Sequence, residues 1–153
     1  MTATVIDHIF TLQRSPYALA PIIHEFYNRS GPRQRDILLS YLILPLVLFP
    51  PMRDFLASAR STSNLRTMTQ AKERLIGLPA RVSDFKAITH ASLLVLTSEK
   101  RVEISEDMSI KSIDEVQISN TKAKLLDAAR GLASICQGED IVTIYRMLGL
   151  KYL

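Results

Sequence analysis

The sequence predicts an α+β fold, mainly α-helical, with winged-helix-like helices and one small β-hairpin in a single domain over residues 1–153. Three observations predict it. Apolar residues recur at three- and four-residue spacing in most segments. Prolines and short polar side chains punctuate those segments where helices start or stop. Two short stretches, 93–97 and 101–105, read as strands joined by the polar turn Ser98, Glu99 and Lys100, the pattern of a hairpin. The chain has 153 residues, 47% hydrophobic and 22% charged. A domain of that length hides roughly 70% of its extended-chain surface and needs neither disulfides nor a structural metal. Cys136 is the sole cysteine, which excludes an internal disulfide and fits a reducing compartment.

Ser15 before Pro16 predicts a helix start, because proline in the first turn forfeits no hydrogen bond. Leu19, Ile22, Ile23 and Phe26 then line one face. Pro21 should bend or delay this helix, since it cannot donate to the Tyr17 carbonyl, and Gly31 and Pro32 end it. Asp36 opens a second element in which Ile37, Leu38, Leu39, Tyr41, Leu42, Ile43 and Leu44 are apolar almost all round, the mark of a helix buried on most sides. Pro45 is expected to break it. Pro50 and Pro51 restart a helix carrying Met52, Phe55 and Leu56, and residues 58–64 form a polar loop. Residues 65–78 are amphipathic, with Leu65, Met68 and Leu75 against Arg66, Lys72, Glu73 and Arg74. Pro79 starts a helix with Val82, Phe85 and Ile88 inside and Arg81 and Lys86 outside. After the hairpin, the acidic stretch 106–119 is a connecting segment that touches the core. Ser119 or Asn120 caps a helix whose face is Leu125, Leu126, Ala129, Leu132, Ala133 and Cys136, closed by Gly138. Glu139 and Asp140 precede a last helix, Ile141, Ile144, Tyr145 and Leu148, and suit its positive end.

The net charge of +4 is concentrated. Between residues 53 and 81, Arg53, Arg60, Arg66, Lys72, Arg74 and Arg81 face only Asp54 and Glu73, and this excess equals that of the whole chain. Residues 102–118 hold Glu103, Glu106, Asp107, Asp114 and Glu115 against Lys111. A basic stretch of this density suits phosphates, with a salt-dependent affinity, an acidic protein surface, or simple solvation.

Groups for catalysis do not converge. His8, His24 and His90 lie on separate elements with no second ligand at helical spacing, so no zinc or iron site is expected. Cys136 falls on an apolar helix face, where a thiol behaves as a small hydrophobe. The glycines at 31, 77, 131, 138 and 149 form no phosphate-binding loop, and there is no GxSxG elbow. The expectation is no cofactor and no enzymatic activity. Residues 1–10 carry Asp7 and no basic cluster, so they do not read as a secretory signal. The longest uncharged stretch, sixteen residues between Asp36 and Arg53, falls short of the roughly 20 a membrane span needs. A cytoplasmic chain without a membrane partner is expected.

LSYLILPLVLFPPMRD, residues 39–54, resembles the signature of the middle component of three-component ABC systems, the small subunit of Lamassu-type bacterial antiphage defence. A long apolar helix is followed by LPLVL, prolines, and an Arg with an acid after it, here Leu44 to Leu48, Pro50 and Pro51, Arg53 and Asp54. SPYALAPII, 15–23, is similar to the opening NP-A-LA pattern, with Ser15 for Asn. STSNL, 61–65, ASLLVL, 91–96, AKLLDAARGLASI, 123–135, and IYRMLGLKYL, 144–153, are similar to later motifs in the same order. The expected aromatic after Gly131 and the terminal Pro are absent.

The resemblance implies a non-catalytic accessory subunit between a coiled-coil SMC/Rad50-like ABC ATPase and an effector subunit, often a nuclease, with winged-helix character. On that reading Leu44, Pro45, Leu46, Phe49, Pro50 and Arg53 are partner-interface candidates, while the apolar run LPLVLFPP reads equally as packing of the chain's own core. Arg60, Arg66, Lys72, Arg74, Arg81, Lys100 and Arg101 are candidates for an acidic partner or for non-specific DNA-backbone contact. The alternative is a winged-helix DNA-binding regulator acting alone, with Arg81 and Lys86 on the groove helix and Lys100 and Arg101 on the wing. That helix offers few side chains able to read base edges.

Overall fold

The computed structural model describes residues 15–117 and 122–151. The leader assessment of residues 1–10, His8 and the expected caps Ser119 and Asn120 lie outside the described residues. Seven α-helices, one 3-10 turn and one two-stranded sheet are described, so the mainly helical α+β reading holds. The hairpin, however, lies elsewhere in the sequence.

Helix α1, Pro16–Arg29, starts on an extended Ser15 whose carbonyl accepts from Ala18 and Leu19 at 3.1 and 3.0 Å. It continues through Pro21. The proline removes a single bond near the helix start, while Leu19, Ile22, Ile23, Phe26 and Tyr27 are all buried at about 1.5–3 kcal/mol per large apolar side chain. Helix α2, Ile37–Val47, is the spine of the core. Leu39, Leu42, Ile43, Leu44, Leu46 and Val47 are at most 1% exposed, and α1, α3, α5 and α6 all pack on it. Pro45 does not break it. The helix runs on to Val47 because burying Leu46 and Val47 outweighs the one donor that proline lacks.

Helix α3, Pro50–Ala57, leaves α2 at an angle of 107°. No single helix among the described residues is long and apolar enough to cross a membrane, and this bent pair has the required composition only when taken together. The expected helix over 65–78 divides into α4, Leu65–Gln70, and a 3-10 turn, Lys72–Leu75, because Ala71 is extended. Asn64 begins α4 with a capping box, its side chain accepting from the Thr67 amide while Thr67 Oγ1 accepts from the Asn64 amide.

Helix α5, Leu78–Ser98, contains the run 93–97 expected as a strand. An apolar run this short fits either period, and the helix buries Leu93 and Leu96 on one face. Lys100, at φ 57°, takes the left-handed turn that ends α5, and the Arg101 amide returns to the Leu96 carbonyl at 2.8 Å. The hairpin follows one run later. Strand β1, Val102–Ile104, pairs antiparallel with β2, Ile110–Ser112, placing Glu103 opposite Lys111, a favourable cross-strand pair. Its second strand comes from the acidic stretch expected as a connector. The tip docks on the start of α2, where the Asp107 and Met108 carbonyls accept from the Arg35 and Ile37 amides, each at 3.0 Å. These bonds satisfy a donor that the helix start leaves open.

Helix α6, Ala123–Cys136, lies against α1 and α3. Helix α7, Ile141–Met147, is capped by Asp140, which accepts from the Thr143 amide at 3.3 Å. The Tyr145 hydroxyl donates to the Leu38 carbonyl of α2. Where α6 crosses α3 the backbones meet at Gly131, and a Cβ there would overlap the Leu56 carbonyl. The loop between α1 and α2 is locked by polar contacts. Arg33 donates to the Glu139 and Cys136 carbonyls at 2.6 and 3.2 Å, and the Tyr27 hydroxyl donates to the Asp36 carbonyl at 2.8 Å. The Asp36 carboxylate is fully buried, 3.7 Å from Arg33 Nε, and accepts no hydrogen bond. Burial raises it to about 6, against the opposing pull of Arg33.

Two outcomes follow for stability. Gly131→Ala must push α3 off α6 and should cost about 1–3 kcal/mol by denaturant titration; an unchanged midpoint would contradict the close crossing. For Asp36 the folded value lies above the unfolded 3.8, so its contribution is full below pH 3.8 and is lost as pH rises through about 6. Between pH 4 and 7, wild type should therefore lose up to about 3 kcal/mol relative to Asp36→Asn. Parallel pH profiles of the two proteins would refute this.

Candidate interaction surface

The polar groups that most resemble catalytic candidates are engaged by other parts of the chain or buried. His24 on α1 is buried with Nε2 2.9 Å from Ser112 Oγ, and burial, aided by the Arg101 charge, lowers its pKa. His90 on α5 faces Tyr41 on α2 at 2.9 Å. Cys136 is buried, and burial pushes its thiol up to about 12. Among the described residues no group of three or more His, Cys, Asp or Glu could hold a metal ion.

The corner between α2 and α3 has a different character. Its inner residues, Leu44, Pro45 and Leu46, are buried, so these three interface candidates pack the chain's own core. Phe49 is half-buried, and Pro50 and Pro51 are exposed. The Arg81 guanidinium from α5 stacks on the Phe49 ring at 3.7 Å, where it gains a cation–π contact. It donates through Nε to the Pro45 carbonyl at 3.3 Å and through Nη1 to the Ile76 carbonyl. The Pro45 carbonyl lies in the last turn of α2, where no helical amide follows to take it. Arg81 thus holds the corner and brings Ile76, 65% exposed, beside Phe49. Phe49, Pro50, Pro51 and Ile76 are the outward apolar residues around this clamp.

At the other end of α3 the same device recurs. Arg74 lies 4.0 Å over the Phe55 ring and donates to the Thr67 carbonyl at 2.9 Å, closing α4 onto α3. Arg101 pairs with Asp114 at 2.9 Å and reaches the Glu115 carbonyl. Of the seven basic candidates, Arg74, Arg81 and Arg101 are therefore held within the fold. Arg60, Arg66, Lys72 and Lys100 are exposed, with no side-chain partner among the described residues. Arg53 is half-buried and meets Asp54 at 3.3 Å, and Asp54 also takes Lys124 at 2.7 Å.

Residue-by-residue reading missed Ile76. The signal for Ile76 was the following Gly77, which takes φ 67° and turns the chain so that the preceding side chain is left outside.

Comparison with known proteins gives one match. The family model of the ABC-three component (ABC-3C) system Middle Component 3 matches residues 3–152. No curated protein and no solved structure matches the chain.

If Arg81 holds the corner, Arg81→Ala should cost about 2–4 kcal/mol, because it leaves two carbonyls and a ring face without their partner. Arg81→Lys should recover less than half, since an ammonium cannot stack and bridge at once. Charge reversal at exposed Arg66 or Lys72 should change stability by no more than about 0.5 kcal/mol. Urea titrations of the four variants test this, and equal effects at all three positions would contradict it.

Proposed function

Because the chain belongs to the Middle Component 3 family of ABC-three component systems, we propose that it is a non-catalytic accessory subunit of a bacterial antiphage defence complex. In this reading it joins a coiled-coil SMC/Rad50-like ABC ATPase to an effector subunit, often a nuclease, in the cytoplasm, within a Lamassu-type assembly. The observation that carries the linking role is the clamped corner. Exposed apolar surface held rigid by two prolines and a stacked arginine loses little conformational entropy on docking.

The partner-interface candidates reduce to the outward ones, Phe49, Pro50 and Arg53, joined by Pro51 and Ile76. Arg60, Arg66, Lys72 and Lys100 remain free to meet an acidic partner surface or the DNA backbone within the complex. The regulator acting alone is favoured less. Two of its four expected DNA contacts, Arg81 and Arg101, are bonded to carbonyls or carboxylates of the chain itself.

The test is coexpression with the ATPase and effector encoded beside this chain. Pro50→Asp combined with Ile76→Asp should reduce copurification about tenfold or more, as loss of an interface anchor does, with an unaltered circular dichroism spectrum. Undiminished recovery of both partners would overturn the corner's role. Sequence-selective DNA binding by the isolated chain would overturn the subunit reading.

A further inference from the structure

The loop between α1 and α2, residues 30–36, gathers the ends of several elements. The Arg35 and Ile37 amides donate to the hairpin tip, Arg33 donates to the Glu139 and Cys136 carbonyls at the turn from α6 to α7, and Tyr27 of α1 donates to the Asp36 carbonyl. Two features of the loop oppose this closure. Arg35 has φ 63°, a left-handed conformation that is costly for a residue with a Cβ. The Asp36 carboxylate is fully buried, neither oxygen is hydrogen-bonded, and Arg33 Nε, 3.7 Å away, is buried without a hydrogen bond as well. Arg33 commits its Nη atoms to carbonyls, so it brings the carboxylate a charge and no hydrogen bond. A carboxyl group in such a place is tolerated uncharged and is costly once ionised.

Asp36 is also the group here whose charge changes near neutrality, its value raised by burial to about 6. Burial holds the Tyr27 and Tyr145 phenols and the Cys136 thiol far above that range. Hydrogen bonds from Ser109 hold Asp107, at the hairpin tip, below the usual carboxylate range. Arg33, Arg35, Glu106, Glu139 and Asp140 are the remaining charged side chains of the segments that meet here. We propose that the loop is a proton-operated latch: with Asp36 uncharged it fastens the hairpin tip and the α6–α7 turn to the start of α2, and ionisation of Asp36 lets it swing out while the helical core stays folded. The outer side of the loop has little to hold it. Gly31, Pro32, Gln34 and Arg35 are exposed, whereas residues 42–47 of α2 are all buried, and local opening draws on segments with few buried apolar contacts. Because the closed value lies above the 3.8 of a freed carboxyl, closure is tightest below pH 3.8 and is lost progressively as pH rises through about 6. The corner lies at the other end of α2, so the latch stands whether or not a partner docks there.

Amide hydrogen exchange of the whole chain, followed residue by residue and corrected for the intrinsic rate, tests the latch. Opening read at the Arg35 and Ile37 amides should be about tenfold more frequent at pH 7.5 than at pH 5, and insensitive to low urea, as a small opening is. Amides of residues 42–47 should exchange more slowly and respond to urea. Asp36→Asn should remove the pH dependence. Arg33→Gln keeps a donor toward the turn carbonyls but deletes the charge that steadies the carboxylate, so the transition should move up by about one pH unit. A flat profile in the native chain, an unchanged one in Asp36→Asn, or a midpoint in Arg33→Gln that stays or falls would each overturn the proposal. So would urea sensitivity at Arg35 and Ile37 equal to that of residues 42–47, which would mean unfolding of the whole molecule in place of a loop motion.

Discussion

The constraint on which the structure depends is the need to keep α2 out of water. A helix apolar on nearly every side cannot lie on a surface, so other elements must surround it. α1, α3, α5 and α6 do so, and most of the chain's remaining features serve that arrangement. The hairpin tip supplies carbonyls to the helix start, Tyr145 fastens α7 to its first turn, and Arg81 satisfies its last. Polar groups at the ends of α2 are met by side chains or backbone from distant elements, which ties burial of the spine to closure of the whole core.

Arginine does the fastening at three places, each with the same physics. Arg33, Arg74 and Arg81 all donate to carbonyls at or just beyond helix ends, and two of them lie on phenylalanine rings. A planar, weakly hydrated cation can close a helix terminus and cover an aromatic face at once. Part of the basic character of residues 53–81 is therefore architectural. The basic side chains of that stretch that are exposed with no partner among the described residues are a smaller set, Arg60, Arg66 and Lys72.

Much of this was legible in the sequence. Pro16 and Pro50 mark helix starts, and the all-apolar run after Asp36 identifies the spine. Asp140 stands at the positive end of its helix as expected and caps it, and the order of motifs led to the middle components of ABC-three component systems. Two local errors share a cause. Pro45 and the run 93–97 were assigned by local preference, whereas burial of Leu46, Val47, Leu93 and Leu96 decided the outcome. The polar junction around Asp36 was illegible for another reason. Residues 27, 36 and 136 have no periodic relation, and their proximity exists only once α1 and α6 are laid on α2. Gly131 stands between the two cases, because the motif placed a glycine there and the helix crossing supplies its physical reason.

The seclusion of the single thiol has a practical side. Cys136 ends α6, packed beneath the loop that Arg33 pins down, and its ionisation is strongly suppressed. An alkylating reagent can reach it only when the last turn of that helix lifts away from its neighbours. The rate at which the native chain is labelled thus measures how often this seam comes apart. The molecule carries a built-in clock for its own breathing, one that needs no engineered probe and would slow when a bound companion holds α6 in place.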